Sequence, residues 1–349
     1  GMADLSGEIK AGEDGSGIEA SVTVEAYEDI NLFGSLPQSM PETVIPLTAS
    51  IEATGDITLN AGDHVQIGES LAGVATQQAP ARLEAGGSVT LHADGDSSGA
   101  ATDASLFIDG RVSAGEDVVL ETNFQSIMLN ASFEAGGDID VTAGLDPSAE
   151  ASVLTDANGA TTMIADNTIT IKASPNNSAP TVPTDVLLNN FSSESMQMII
   201  DAEHGSFIHN GGEIVTSGRL RVDSGNGFDM ISAAGELELE VQGVGDLNVT
   251  NRAAVSQLDI LIQDGSIDFE NFGDLVVGRV AIQTDDEDND IQLLTHERNA
   301  SDGDISFNRS LALNGVAELK AGNLANGLGD ITLEAAGVVD IYRLGTVTI

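Results

Sequence analysis

The sequence predicts an all-β solenoid, a parallel β-helix forming a single domain over residues 1–349, and three observations carry that prediction. A five-residue unit recurs with one polarity: glycine, then a carboxylate or serine, then apolar, polar, apolar. Strand-like segments follow one another at intervals of about 8 to 12 residues, too short for βαβ crossovers. The composition, 41% apolar but only 3% aromatic with 39 glycines, calls for a core of Ala, Val, Ile and Leu in narrow layers.

Along the chain, Gly1-Met2 reads as a cloning scar. The first clear unit is Gly55-Asp56-Ile57-Thr58-Leu59, which returns word for word as Gly329-Asp330-Ile331-Thr332-Leu333. Between them stand Gly87-Ser88-Val89-Thr90-Leu91, Gly137-Asp138-Ile139-Asp140-Val141 and Gly235-Glu236-Leu237-Glu238-Leu239. Gly245-Asp246-Leu247-Asn248-Val249, Gly265-Ser266-Ile267-Asp268-Phe269, Gly273-Asp274-Leu275-Val276-Val277 and Gly303-Asp304-Ile305-Ser306-Phe307 complete the set. Alternation puts both apolar side chains of a unit on one face and the polar one on the other, and glycine eases the corner before each strand. Weaker strands at 258–262, 280–283 and 291–294 fill the longer gaps.

Hairpins favour Asn-Gly or Asp-Gly between paired strands. Here the order is Gly-Asp and each strand runs onward with the same polarity, which favours strands stacked in parallel, coil above coil. With two or three strands per turn, a coil takes roughly 20 to 30 residues. All 8 prolines lie at or before position 183, which places the expected loop excursions in the N-terminal half: 34–48, 69–80, 94–103, 145–161 and 174–184. The strand-like run at 346–349 suggests a segment of a larger chain, expected to be monomeric.

Twelve Lys plus Arg against 56 Asp plus Glu give a net charge of −44, a surface that repels nucleic acid and anionic membrane. No apolar run reaches the ~18–20 residues that span a bilayer, so no membrane insertion is expected. The absence of cysteine leaves the redox compartment open.

No catalytic constellation stands out. There is no Gly-x-Ser-x-Gly elbow and no phosphate loop, and the five histidines, His64, His92, His204, His209 and His296, lack the spacing of a zinc or iron site. Calcium is the expected ligand if any metal binds, because acidic turns offer the oxygens its shell needs. The densest acidic run supplies Asp285, Asp286, Asp288 and Asp290. The stretch 224–231, with Asn226 and Asp229, resembles one nonapeptide of the calcium-binding RTX β-roll. A third stretch, 94–99, reads as a surface loop.

The Gly-Asp-Ile-Thr-Leu units, joined by segments such as Asn60-Ala61-Gly62 and Ala335-Ala336-Gly337, resemble the repeats of filamentous-haemagglutinin-type and other giant bacterial surface adhesins. The resemblance spans most of the chain from about residue 50 onward. It implies a right-handed parallel β-helix (solenoid), secretion or display at the cell surface, and a non-enzymatic structural and adhesive role with a host surface or polysaccharide as ligand. The alternative is a carbohydrate-active β-helix enzyme, a polysaccharide lyase or glycoside hydrolase. Asp285-Asp286, Glu203-His204-Gly205 and Arg219-Leu220-Arg221 imitate the polygalacturonase segments poorly. An enzyme needs a groove of converging carboxylates, which separates the two readings.

Overall fold

The computed structural model describes residues 3–5, 8–12, 19–32, 49–68, 81–95, 104–156, 159–176, 184–284, 289–296, 304–313, 317–320, 331–333, 338–341 and 347–348. Every helix or strand among them is a β-strand, and the strands stack in parallel, so the chain is an all-β parallel β-helix. Among the described residues no helix is long and apolar enough to cross a membrane. The chain divides into two compact units, Gly1–Asp185 and Val186–Ile349.

In the first unit the strands Val22–Ala26, Ile57–Ala61, Val89–Ala93, Val118–Thr122, Ile139–Ala143 and Thr168–Ala173 lie one above another. Their register aligns Val22, Ile57, Val89, Val118, Ile139 and Ile169 in one column. Val24, Leu59, Leu91, Leu120, Val141 and Ile171 form a second. From Ile57 onward all of these are fully buried, while the polar residues between them are part-exposed. Each such burial contributes about 1.5–3 kcal/mol, so the stacked columns are the main cohesive term.

The residue after the glycine has a role that charge alone does not explain. Asp56 Oδ1 accepts the Ser88 N–H at 2.9 Å, one coil and 32 residues on. Ser88 Oγ accepts the Asp117 N–H at 3.3 Å, Asp117 Oδ1 accepts the Asp138 N–H at 2.8 Å, and Asp138 Oδ1 accepts the Thr168 N–H at 2.9 Å. These coils are 29, 21 and 30 residues long, close to the expected size. The ladder supplies an acceptor to backbone donors that sit just before the strand, where no strand partner is in place.

At another corner Ala53, Ala85, Ala114 and Ala135 align, and Gly86, Gly115 and Gly136 follow the last three. A Cβ on Gly115 would lie 2.1 Å from the Gly86 carbonyl oxygen, and one on Gly136 2.4 Å from that of Gly115. Glycine is required there by the approach of one coil to the next.

The second unit repeats the scheme. Phe228, Leu247, Ile267 and Ile291 form one buried column, and Met230, Val249, Phe269 and Leu293 another. The polar ladder runs from Asp246 Oδ1 to the Ser266 N–H at 2.8 Å and from Ser266 Oγ to the Asp290 N–H at 3.0 Å. Asp274 Oδ1 likewise accepts the Asp304 N–H at 3.1 Å.

Inside this unit a polar column interrupts the apolar ones. Ser232, Asn251, Asn271 and Thr295 align and are wholly buried. Asn251 Oδ1 accepts the Ser232 hydroxyl at 3.0 Å and the Ala234 N–H at 2.9 Å. Its Nδ2 donates to Asn271 Oδ1 at 2.9 Å and to the Ala253 carbonyl at 2.7 Å. Stacked amides that satisfy one another can be buried at little cost.

The expected weak strands lie within Val255–Asp264, Leu275–Ile282 and Ile291–His296, with Gln283 just past the second. The stretch 145–161, expected as an excursion, contains the strand Val153–Thr155 paired with Ile127–Leu129. Its Val-Leu-Thr alternation turns Val153 and Thr155 inward, a signal masked by the Pro, Ser and Ala around it. The stretches 34–48 and 69–80 lie outside the described residues, as do most of 94–103 and 174–184 and the side chains beyond residue 306.

Candidate functional site

The outward face of Ile214–Ser224, Phe228–Val244, Val255–Asp264 and Leu275–Ile282 concentrates opposite charges. Leu237, Leu239 and Val241 fill the core, so Glu236, Glu238 and Glu240 must face outward. Register then sets Arg219, Glu236 and Gln257 in one row, Arg221, Glu238 and Asp259 in the next, and Asp223, Glu240 and Leu261 in the third. Of these, Arg219, Glu236, Glu238, Glu240, Gln257, Asp259 and Leu261 border, with Arg279, a concavity of about 450 Å³.

Arg219 pairs with Glu238. Arg221 donates from Nε to Asp223 Oδ2 at 2.9 Å and approaches Glu238 at 4.0 Å. Such part-exposed pairs contribute roughly 0.2–1 kcal/mol each, so they orient the side chains more than they stabilise the coil. Arg279 sits differently. Its backbone N–H donates to Asp259 Oδ1 at 2.7 Å, and its guanidinium has no ion-pair partner among the described residues.

Asp223 and Glu240 face each other across adjacent coils. Asp223 is 8% exposed, and its Oδ1 is buried without a hydrogen-bond partner. Burial pushes its carboxyl above the usual range, opposed by the hydrogen bond from Arg221. Burial, then the neighbouring Asp223 charge, pushes Glu240 up as well. Like charges directly opposite are destabilising, and a carboxyl that keeps its proton to higher pH has the property of a general acid.

The residues expected to bind calcium are placed as follows. Asp285, Asp286 and Asp288 lie outside the described residues. Asp290 occupies a ladder position, its N–H donating to Ser266 Oγ and its carbonyl accepting the Ile267 N–H at 2.8 Å. Asn226 and Asp229 border one concavity with Asp246. Asn226 Nδ2 donates to Ser206 Oγ at 3.0 Å, and Asp229 Oδ1 accepts Asn248 Nδ2 at 2.6 Å. Asp229 and Asp290 stand on the same side of the unit, three coils apart, so these candidates do not converge.

Three of the five histidines meet carboxylates, each of them with at least one partner on a neighbouring coil. His296 Nε2 lies 2.6 Å from Glu270 Oε1, and His92 Nε2 lies 3.2 Å from Asp94 Oδ1. His64 meets Asp29 and Asp63, and those three ligand atoms lie within 4.8 Å of one another. His209 lies in the interior: it is buried beside Phe207, and burial lowers its pKa below the usual imidazole value.

The Arg and Glu grid had a trace in the sequence. Arg219-Leu220-Arg221 and Glu236-Leu237-Glu238-Leu239-Glu240 both alternate charge with leucine, which predicts charged outward rows, although nothing local shows that the two rows adjoin. No protein-family model, curated protein or solved structure matches this chain.

Proposed function

We propose that the chain is a non-enzymatic structural and adhesive segment of a secreted or cell-surface bacterial protein, with polysaccharide as its ligand class. The observation that carries this reading is the cross-coil ladder from Asp56 through Ser88, Asp117 and Asp138 to Thr168, repeated from Asp246 to Asp290. A fold that ties each coil to the next with side-chain bonds as well as strand pairing suits display and resistance to pulling. The charged grid supports the adhesive part, because carboxylates accept hydrogen bonds from sugar hydroxyls and the Arg279 guanidinium, without an ion-pair partner among the described residues, supplies donors. With no Trp and only 2 Tyr, a sugar has few stacking platforms, so hydrogen bonding carries the contact.

The test is retention of the bead-coupled chain on a panel of neutral and acidic polysaccharides, with new reducing ends assayed in the same tubes. Retention that weakens in Arg279→Ala without release of reducing ends supports the proposal. Lack of retention on every polysaccharide refutes the ligand class. A second reading, a carbohydrate-active enzyme, draws support from the raised Asp223 and Glu240 carboxyls on the grid. Release of reducing ends that stops in Glu240→Gln would establish it instead.

A further inference from the structure

We propose that Asp29, Asp63 and His64 form a binding site for a divalent transition-metal ion, with zinc the ion their ligand set best matches. Sequence separates Asp29 from His64 by 35 residues, but Ile30 pairs with Val65, which stacks Asp29 directly on His64. The backbone around them is held on both sides. The Ile30 N–H donates to the His64 carbonyl at 2.9 Å, the Asp63 N–H to the Glu28 carbonyl at 3.0 Å, and the Gly95 N–H to the Asp63 carbonyl at 3.1 Å. The site is built into the coil, with no dependence on a long loop.

His64 Nδ1 lies 3.2 Å from Asp29 Oδ1 and 3.0 Å from Asp63 Oδ1. Two ligands each held at about 2.0–2.2 Å by one zinc ion are roughly 3.0–3.5 Å apart at tetrahedral or octahedral angles. The two edges at His64 already have the spacing of coordination edges, and all three ligand atoms lie within 4.8 Å of one another.

Hydrogen bonding alone leaves the cluster incomplete. One Nδ1–H can serve Asp29, but Asp63 Oδ1 is shielded from solvent and accepts no hydrogen bond. The unpartnered atom is Asp63 Oδ1 itself, which lies 3.0 Å from His64 Nδ1 and is closed to water. A cation coordinated by Nδ1 and the two carboxylates gives Asp63 Oδ1 its missing partner.

The chemistry selects the metal class. A nitrogen with two carboxylate oxygens suits borderline divalent ions, whereas calcium prefers six to eight oxygens and copper(I) prefers sulfur. Coordination requires the Nδ1 lone pair, so the imidazole proton sits on Nε2 in the loaded state. The three side chains are 24–42% exposed, which leaves an entry path and room for water to complete the shell.

The experiment is calorimetric titration of EDTA-stripped, dialysed full chain with zinc chloride, in enough sodium chloride to screen diffuse attraction to the −44 surface. The expected result is one saturable site per chain. His64→Ala and Asp63→Asn each weaken it at least about tenfold, as loss of a supporting group at a zinc centre already does. His296→Gln, whose partner Glu270 lies in the other unit, leaves it unchanged. Far-UV circular dichroism checks that the variants fold. Cobalt loaded into the unmodified chain gives a second readout, a ligand-field spectrum of nitrogen and oxygen ligands that zinc abolishes. The proposal is overturned by saturable binding that survives both substitutions, by uptake that never saturates, or by displacement of zinc with equimolar calcium.

Discussion

Replacing Asp138 with alanine separates two explanations of the acidic surface. If the carboxylates matter only as mutually repelling charges, removing one from a chain of net charge −44 stabilises it. The cross-coil ladder predicts the opposite. Asp138 Oδ1 accepts the Thr168 N–H at 2.9 Å, a part-buried contact, and alanine leaves that donator site without its acceptor. A hydrogen bond to a charged group contributes about 1.5–3 kcal/mol, and partial exposure lowers this to roughly 1–2 kcal/mol. Relief of repulsion with Asp140 returns a few tenths of a kcal/mol at part-exposed sites. The net expectation is a loss of about 1 kcal/mol, or ~2–4 °C in Tm for a unit of this size. Asp138→Asn keeps an acceptor oxygen and drops the charge, so it should melt close to the unmodified chain. The assay is thermal unfolding followed by circular dichroism at two salt concentrations. High salt screens the repulsion and should widen the alanine deficit. An alanine variant that melts at or above the unmodified chain, alongside an asparagine variant raised equally, refutes the ladder argument.

Gly115→Ala places a Cβ 2.1 Å from the Gly86 carbonyl oxygen, a backbone atom that cannot swing away, and should cost roughly 1–3 kcal/mol in urea unfolding. Asn251→Leu strands the Ser232 hydroxyl, the Ala234 N–H and the Asn271 carbonyl oxygen in the interior, and should cost at least about 2 kcal/mol by the same measurement. Asp223 and Glu240 have folded pKa values above their ordinary 3.8 and 4.5, so the folded state holds their protons more tightly than the unfolded one. Their contribution is therefore most favourable below those ordinary values and is lost as pH rises through the raised ones. Asp223→Asn and Glu240→Gln should raise Tm at neutral pH and flatten this part of the Tm–pH profile; unchanged profiles would contradict the burial argument. His209 has the reverse sign: its folded pKa lies below 6.5, so stability should fall as pH drops from 6.5 towards that value, and His209→Phe should remove the drop.

The inward columns were legible in the sequence because alternation is local: Ile139 and Val141 announce their face within one five-residue unit. The parallel arrangement was legible in the constant Gly-Asp order. What the Asp does was not, because Asp56 meets Ser88 only after a coil whose length varies with its excursions, 32 residues there and 21 between Asp117 and Asp138. Asn251 and Asn271 were hidden for a related reason. Each stands at the inward parity of its strand, after Leu247 and Val249 or Ile267 and Phe269, where a polar side chain reads as the strand's end, and only the column of Ser232, Asn251, Asn271 and Thr295 reveals an interior amide stack. The His64 cluster and the Arg219–Glu238 contact fail the same way, since each joins residues on different coils.

This dependence on coil-to-coil contact also contributes to the acidity of the chain. The position before each strand has to offer an acceptor to a backbone N–H of the next coil, and short side chains with oxygen do that: Asp at 56, 117, 138, 246 and 274, Ser at 21, 88 and 266. Lysine and arginine carry donors only and cannot take the place. Aspartate makes the stronger, charge-assisted bond, and serine does the same task at alternate rungs without adding charge. The Asp56–Ser88–Asp117 and Asp246–Ser266–Asp290 sequences of rungs thus keep two carboxylates from standing on neighbouring coils. Asp117 and Asp138, like Asp274 and Asp304, do stand on neighbouring coils, and at these rungs repulsion and hydrogen bonding compete directly. The negative charge follows in part from the way the coils are joined, before any ligand is considered.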